Sequence, residues 1–106
     1  MTYKILKKIL VPLDGSKNSL RGLDMALAFA KPTESTVIGL NVFSLPSVIT
    51  SSSNMKNKIR KKSEKIIKQA ETISQKGNVT FTGMIKIGEN VGNTIITVAK
   101  KQGVDI

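Results

Sequence analysis

The sequence of 106 residues contains neither cysteine nor histidine, and these two absences exclude most of the chemistry of small enzymes. Without cysteine there is no disulfide, no thiol nucleophile and no cysteine-ligated metal. Without histidine there is no Ser-His dyad and no imidazole ligand or acid–base group. The seven acidic residues are scattered, and no pair has a spacing typical of two-carboxylate catalysis. We therefore predict a binding protein rather than an enzyme.

Aromatic residues and long apolar runs are also scarce. One tyrosine, three phenylalanines and no tryptophan leave little surface on which nucleic-acid bases could stack. The longest apolar run near the N-terminus, residues 9–13, is too short to cross a bilayer, and no cleavage site of small residues follows it. The sequence therefore predicts one cytoplasmic domain over residues 1–106, with no membrane partner and no bound metal.

Positive charge, in contrast, is abundant: 17 Lys and Arg against 7 Asp and Glu give a formal net charge of +10. Residues 56–68 alone carry seven cations and a single acid, Glu64. This segment is either a surface for polyanions or protein partners, or the solvated face of an amphipathic helix. Because Arg60 is its only arginine and no aromatic residue is interleaved, we favour the solvated face and disfavour a nucleic-acid partner.

The apolar pattern predicts strands separated by helices. Short continuous apolar runs are typical of buried strands at residues 9–13 and 36–43, and alternation predicts a less buried strand at residues 79–87. Residues 104–106 resemble the start of a fourth strand. The Ser/Thr-rich residues 44–54 predict a loop.

Apolar residues at helical spacing fill the intervals between these strands. Ser16 and Asn90 are suitable N-caps for the first and third helices. The first helix is expected to stop at Lys31-Pro32, because a residue before proline is biased away from helical conformation. Gly77 and Gly103 are suitable residues to end the second and third helices.

The strict alternation of strands and helices predicts an α/β fold: an open parallel sheet with helices on both faces. Ligands of such sheets bind at the carboxyl ends of the strands. Asp14 follows the first strand, where its carboxylate either accepts hydrogen bonds from a ribose-like hydroxyl or bonds its own backbone in an Asx turn. Residues 88–92 contain two glycines but match neither a Walker A loop nor a dinucleotide fingerprint.

Several short motifs, taken in order, resemble the universal stress protein family. They are KKILVPLDGS at residues 7–16, LNV at 40–42, and GENV at 88–91 with the helix that follows it as far as VDI. The family fold is an adenine-nucleotide alpha hydrolase-like, Rossmann-like α/β domain. The resemblance implies a stress-response or regulatory module, often a homodimer, whose cofactor in many members is ATP.

The resemblance also implies which residues bind the nucleotide. Pro12, Leu13 and Asp14 would border the adenine and ribose, and Val42 would contact the adenine. Gly88 would lie near the same crevice. Asn41 occupies a position at which histidine is common in the family.

The phosphate-binding loop of the family follows its fourth strand, and nothing before Ile106 matches it. We therefore expect a C-terminally truncated domain, with its final strands missing and with weak or absent ATP binding. In the family order the first strand lies beside the fourth, so its edge should be exposed and should pair two copies into a homodimer. The alternative is a basic protein- or polyanion-interaction module that self-assembles without binding a nucleotide.

Overall fold

Three parallel strands alternate with three helices in the computed structural model, which describes residues 7–43, 53–88 and 90–104. The elements, in chain order, are β1 (Lys8–Pro12), α1 (Lys17–Thr33), β2 (Thr36–Phe43), α2 (Ser53–Lys76), β3 (Thr80–Ile87) and α3 (Val91–Gln102). The sheet order is β1-β2-β3 with both pairs parallel. The predicted α/β fold with an open parallel sheet is therefore confirmed.

The helices lie on both faces of the sheet. Helices α1 and α2 contact each other and the strands that they connect, whereas α3 crosses back over β2 and β1. Because right-handed crossovers that run in opposite directions lie on opposite faces, α3 covers the second face. The main core joins β1 to α1 through residues such as Ile9, Val11, Leu23 and Ala26. On the second face, Val98 is the residue of α3 that is buried.

Two glycines allow close packing on the α1–α2 face. A Cβ atom at Gly39, in the middle of β2, would lie 2.5 Å from Cζ of Phe81 and 2.8 Å from Cδ1 of Leu13. A Cβ atom at Gly83 would overlap the side chain of Ile67 in α2. Phe81 and Ile67 both pack against the buried core. The absence of a side chain at Gly39 therefore makes room for Phe81 of β3, and its absence at Gly83 makes room for Ile67 of α2.

The prediction that α1 stops at Lys31-Pro32 is wrong, because Pro32 lies inside the last turn of the helix. Glu34 adopts a left-handed conformation (φ 53°), and its N–H bonds to the carbonyls of Ala30 and Lys31. The N–H of Ser35 also donates to the Ala30 carbonyl, at 3.0 Å. Since the residues after the proline donate these closing bonds, the missing N–H of Pro32 does not end the helix.

The predicted N-caps are confirmed. The hydroxyl of Ser16 accepts a hydrogen bond from the N–H of Ser19 at 3.1 Å, and Oδ1 of Asn90 accepts one from the N–H of Asn93 at 2.9 Å. Gly103 ends α3 in a left-handed conformation (φ 63°), as predicted. Each of these side chains or conformations satisfies backbone groups that the helix leaves unpaired.

The end of α2 differs slightly from its prediction. Gly77 follows the last helical residue, but the residue with a left-handed conformation is Asn78 (φ 57°), a residue type that tolerates it.

The predicted loop at residues 44–54 is shortened by α2, which begins at Ser53, and residues 44–52 lie outside the described chain. The predicted fourth strand at residues 104–106 also falls largely outside it.

Replacing Gly39 with alanine should lower the free energy of unfolding by about 1–3 kcal/mol, because the new Cβ overpacks against Phe81 and Leu13. Gly22 is a matched control: it is exposed on α1, and a Cβ there meets nothing within 4 Å. Gly22→Ala should raise the free energy of unfolding by about 0.5–1 kcal/mol. Urea denaturation measures both changes, and equal effects would show that Gly39 is not sterically constrained.

Candidate functional site

The carboxyl ends of the three strands form one continuous edge. The N–H of Leu13 donates to the Leu40 carbonyl at 2.7 Å, which extends the pairing of β1 with β2 by one residue. At the other end of this edge, the N–H of Gly88 donates to the Phe43 carbonyl at 3.1 Å. The predicted site residues all lie along this edge: Pro12, Leu13, Asp14, Val42 and Gly88.

A buried asparagine connects two of these strand ends. Asn41 of β2 is only 5% exposed, and its Nδ2 donates to the Leu13 carbonyl at 2.7 Å. Its Oδ1 is buried and has no hydrogen-bond partner among the described residues. The Leu13 carbonyl would otherwise lie past the end of the strand pairing, so Asn41 fixes the backbone immediately before Asp14.

The turn after β1 is an Asx turn. Oδ1 of Asp14 accepts a hydrogen bond from the N–H of Ser16 at 2.8 Å, and Gly15 between them has φ +84°, a conformation that favours glycine. The turn alternative for Asp14 is therefore present in the structure. The Asx turn occupies only part of the acceptor capacity of Asp14. The side chain is exposed, and its two carboxylate oxygens offer about four acceptor sites.

Hydrogen bonding also sets the charge state of this carboxylate. The Ser16 hydroxyl, and then the Ser16 backbone N–H, donate to Asp14 and hold the pKa of its carboxyl below the usual 3.8. The small loss of solvation at this exposed site acts in the opposite direction and does not outweigh these bonds. Asp14 is therefore an anion at neutral pH, able to accept hydrogen bonds but not to donate them.

A cavity of about 470 Å³ lies between this turn and α2. It is lined by Asp14, Gly15, Ser16, Lys62, Lys65, Ile66 and Gln69. Of these residues, only Asp14 is a predicted site residue, and the prediction for the two lysines is the solvated face of a helix. The lysines are indeed exposed, but nothing in a helical pattern shows which stretch of α2 meets the turn.

Four of the five predicted residues do not line this cavity, and Val42 and Gly88 lie farthest from it along the sheet edge. Val42 is half-buried and, by strand alternation from Gly39 and Asn41, projects to the α3 face of the sheet. Gly88 is explained by packing, because a Cβ there would overlap the side chain of Thr94 in α3. Of the five predicted residues, the structure therefore places only Asp14 in the lining of this cavity. Leu13 is buried in the core beside it, and Pro12 ends β1.

A second groove, of about 480 Å³, lies on the α3 face. Its polar lining residues are Lys86, Asn90, Asn93, Thr94, Thr97, Lys101 and Gln102. Residues 7–43, 53–88 and 90–104 contain no cluster of three side chains able to hold a metal ion. No helix within these residues is long and apolar enough to cross a membrane.

A family model described as the universal stress protein family matches residues 6–106. Among solved structures, a universal stress family protein from Burkholderia pseudomallei superposes with a TM-score of 0.82 at 21% identity. The alignment covers 92% of this chain and 76% of that protein. No match to a curated protein was found.

Two further similar structures hold adenine nucleotides. A universal stress protein in complex with cAMP is 18% identical, with a TM-score of 0.75 and coverage of 93% of this chain and 72% of that protein. A universal stress family protein of Arabidopsis thaliana with AMP bound is 16% identical, with a TM-score of 0.70 and the same two coverages. At these identities the likeness establishes the fold.

Asn41→Ala should lower the free energy of unfolding by about 1–3 kcal/mol, because it leaves the Leu13 carbonyl without its buried donor and opens a small cavity. The exposed Asn18 on α1 provides the control, and Asn18→Ala should change the free energy by no more than about 0.5 kcal/mol. Thermal or urea unfolding measures both. Equal stabilities of the two variants would contradict a structural role for the Asn41 bond.

Ser16→Ala should raise the pKa of Asp14 toward its usual value, because the hydroxyl donor is lost. Since the folded-state pKa is depressed, this carboxylate stabilises the fold above its unfolded pKa and stops doing so as pH falls through the folded pKa. The variant should therefore lose less stability in acid, on top of a pH-independent loss of about 1 kcal/mol from the missing N-cap.

Titration of the Asp14 carboxyl carbon by NMR gives the pKa directly. Ser16→Thr keeps a hydroxyl at this position and should leave the pKa low. An unchanged pKa in Ser16→Ala would show that the hydroxyl does not stabilise the carboxylate.

Proposed function

The chain belongs to the universal stress protein family, and from that premise we propose that it is a stress-response module that binds an adenine nucleotide. The observation that carries the proposal is the turn at the carboxyl end of β1, where an ionised, exposed Asp14 borders a cavity of about 470 Å³. Carboxylates at strand ends of open α/β sheets are suited to accept hydrogen bonds from ribose hydroxyls. The cAMP and AMP held by two structural relatives support this ligand class.

The proposed contacts follow the edge of the sheet. Pro12, Leu13 and Asp14 border the adenine and ribose, Val42 contacts the adenine, and Gly88 lies at the margin of the crevice. Leu13 and Asp14 are held in place by the Asn41 amide and the Ser16 N–H, at 2.7 and 2.8 Å. Because these backbone positions are already fixed, less conformational entropy is lost when a ligand binds. ATP is the first nucleotide to test, and we expect it to bind weakly, because no segment of the sequence matches the phosphate-binding loop of the family.

We propose binding without catalysis. The cavity beside Asp14 presents one carboxylate, two lysines and neutral polar groups. The chain supplies no histidine or cysteine to act with them. A carboxylate with a lowered pKa is a poor general acid or base near neutral pH.

Self-association through β1 is a second proposal, and its partner is another copy of this chain. Within the described residues, β1 pairs with β2 and no strand lies along its other edge. Beside it, a cavity of about 370 Å³ is lined by apolar residues of β1 and α1, and Met25 and Phe29 there are 75% and 41% exposed. An antiparallel twofold pairing centred on Leu10 would set Lys8 opposite Pro12, so like charges would not meet.

Asp14→Asn should weaken ATP and adenosine binding about tenfold, because a charged acceptor of a ribose hydroxyl becomes a neutral one. The asparagine can still form the Asx turn, so the fold should be preserved. Asp24→Asn, at an exposed position on α1, removes the same charge away from the cavity and should leave affinity unchanged. Isothermal titration of adenosine, AMP and ATP measures all three proteins; absence of binding by the wild type would refute the proposal.

Met25→Lys should shift the chain from dimer to monomer, because it places a charge beside the proposed β1 interface. Ile96→Lys is the control, since Ile96 is 54% exposed on α3, which covers the opposite face of the sheet. Sedimentation velocity over a concentration series gives the oligomeric state. A wild-type chain that stays monomeric at high concentration would overturn the self-association proposal.

A further inference from the structure

Helix α2 presents cations to the turn after β1. Gly15 in that turn lies against α2, because a Cβ atom there would be 3.3 Å from Cδ1 of Ile66. Residues three and four apart share a helix face, so Lys62 and Gln69 lie on the same face as Ile66, and Lys65 lies beside it. All four line the cavity of about 470 Å³ with the turn. Lys62 and Lys65 are hereafter the two cavity lysines.

The acids of α2 do not neutralise the two cavity lysines. Glu64 lines a different cavity with Arg60 and residues of the sheet edge. Glu71 is paired with Lys68 at 3.5 Å. Within residues 7–43, 53–88 and 90–104, neither cavity lysine has an ion pair or a side-chain hydrogen bond, and Asp14 is the one carboxylate lining their cavity. The cavity therefore has two cations facing a single anion.

We infer that the two cavity lysines form an anion subsite for the phosphate groups of the nucleotide whose ribose meets Asp14. This inference rests on the proposed function. A ligand with hydroxyl donors and phosphate acceptors satisfies both signs of charge, since a carboxylate only accepts hydrogen bonds and an ammonium only donates them. The hydroxyl of Ser16 accepts a hydrogen bond from the N–H of Ser19 in the first turn of α1, and the two cavity lysines add full positive charges on the other side of the cavity.

The subsite is tested with the double variant Lys62→Gln/Lys65→Gln. Its affinity for ATP should fall at least about tenfold, because two charge-assisted hydrogen bonds are lost. Its affinity for adenosine, which has no phosphate, should stay within about twofold of the wild type. The matched control is Lys56→Gln/Lys61→Gln, which removes the same charge from the same helix at positions that do not line the cavity. Isothermal titration of both ligands compares the three proteins.

Two outcomes separate this inference from the proposed function. If the wild type binds ATP and both double variants weaken it equally, the general charge of α2 is responsible and the subsite is refuted, whereas nucleotide binding stands. If the wild type binds no adenine nucleotide, the proposed function fails, and inorganic pyrophosphate then tests the subsite. Amide shifts of Gly15 and Ser16 that appear with pyrophosphate only while the two cavity lysines are present would support it; no shifts in the wild type would overturn it.

Discussion

The hydrogen bond from the buried amide of Asn41 to the Leu13 carbonyl is the constraint on which the candidate site depends. The last backbone hydrogen bond between β1 and β2 is donated by the N–H of Leu13. Without a partner for the Leu13 carbonyl, no hydrogen bond would orient the backbone that leads into Asp14. The amide of Asn41 donates to that carbonyl in place of a backbone N–H. The Asx turn and the capped start of α1 follow directly, so one buried side chain on β2 determines where Asp14 is held.

Close packing around glycine adds the second constraint. Gly39 admits the ring of Phe81, Gly83 admits Ile67, and Gly15 admits Ile66. The last two contacts are made by consecutive residues of α2, one with the sheet and one with the turn. These two contacts, together with the buried Ala70 and the half-buried Ile73, hold the backbone of α2 against the sheet and the turn.

The sequence predicted the fold better than the site. Alternating apolar runs and helical spacing gave the number, order and approximate ends of the elements, because these patterns reflect burial on each element separately. Pro32 misled the prediction for α1 because closing bonds from Glu34 and Ser35 lie beyond it. For the site, the motif around Asp14 was visible in the sequence, but the convergence of Lys62 and Lys65 with it depends on contacts between elements fifty residues apart. Such contacts have no local signal. The opposite faces of Asn41 and Val42, in contrast, follow from strand alternation alone.

The lysine-rich face of α2 also affects the rate at which a small anion associates with the chain. Charges spread along a helix act over roughly 8–10 Å at physiological ionic strength, so they attract a ligand before it touches the cavity. Fields of this kind raise the rate of association more than they prolong the complex. The positive charge of α2 would therefore raise the rate at which a small anion reaches the cavity, and a higher salt concentration would lower that rate.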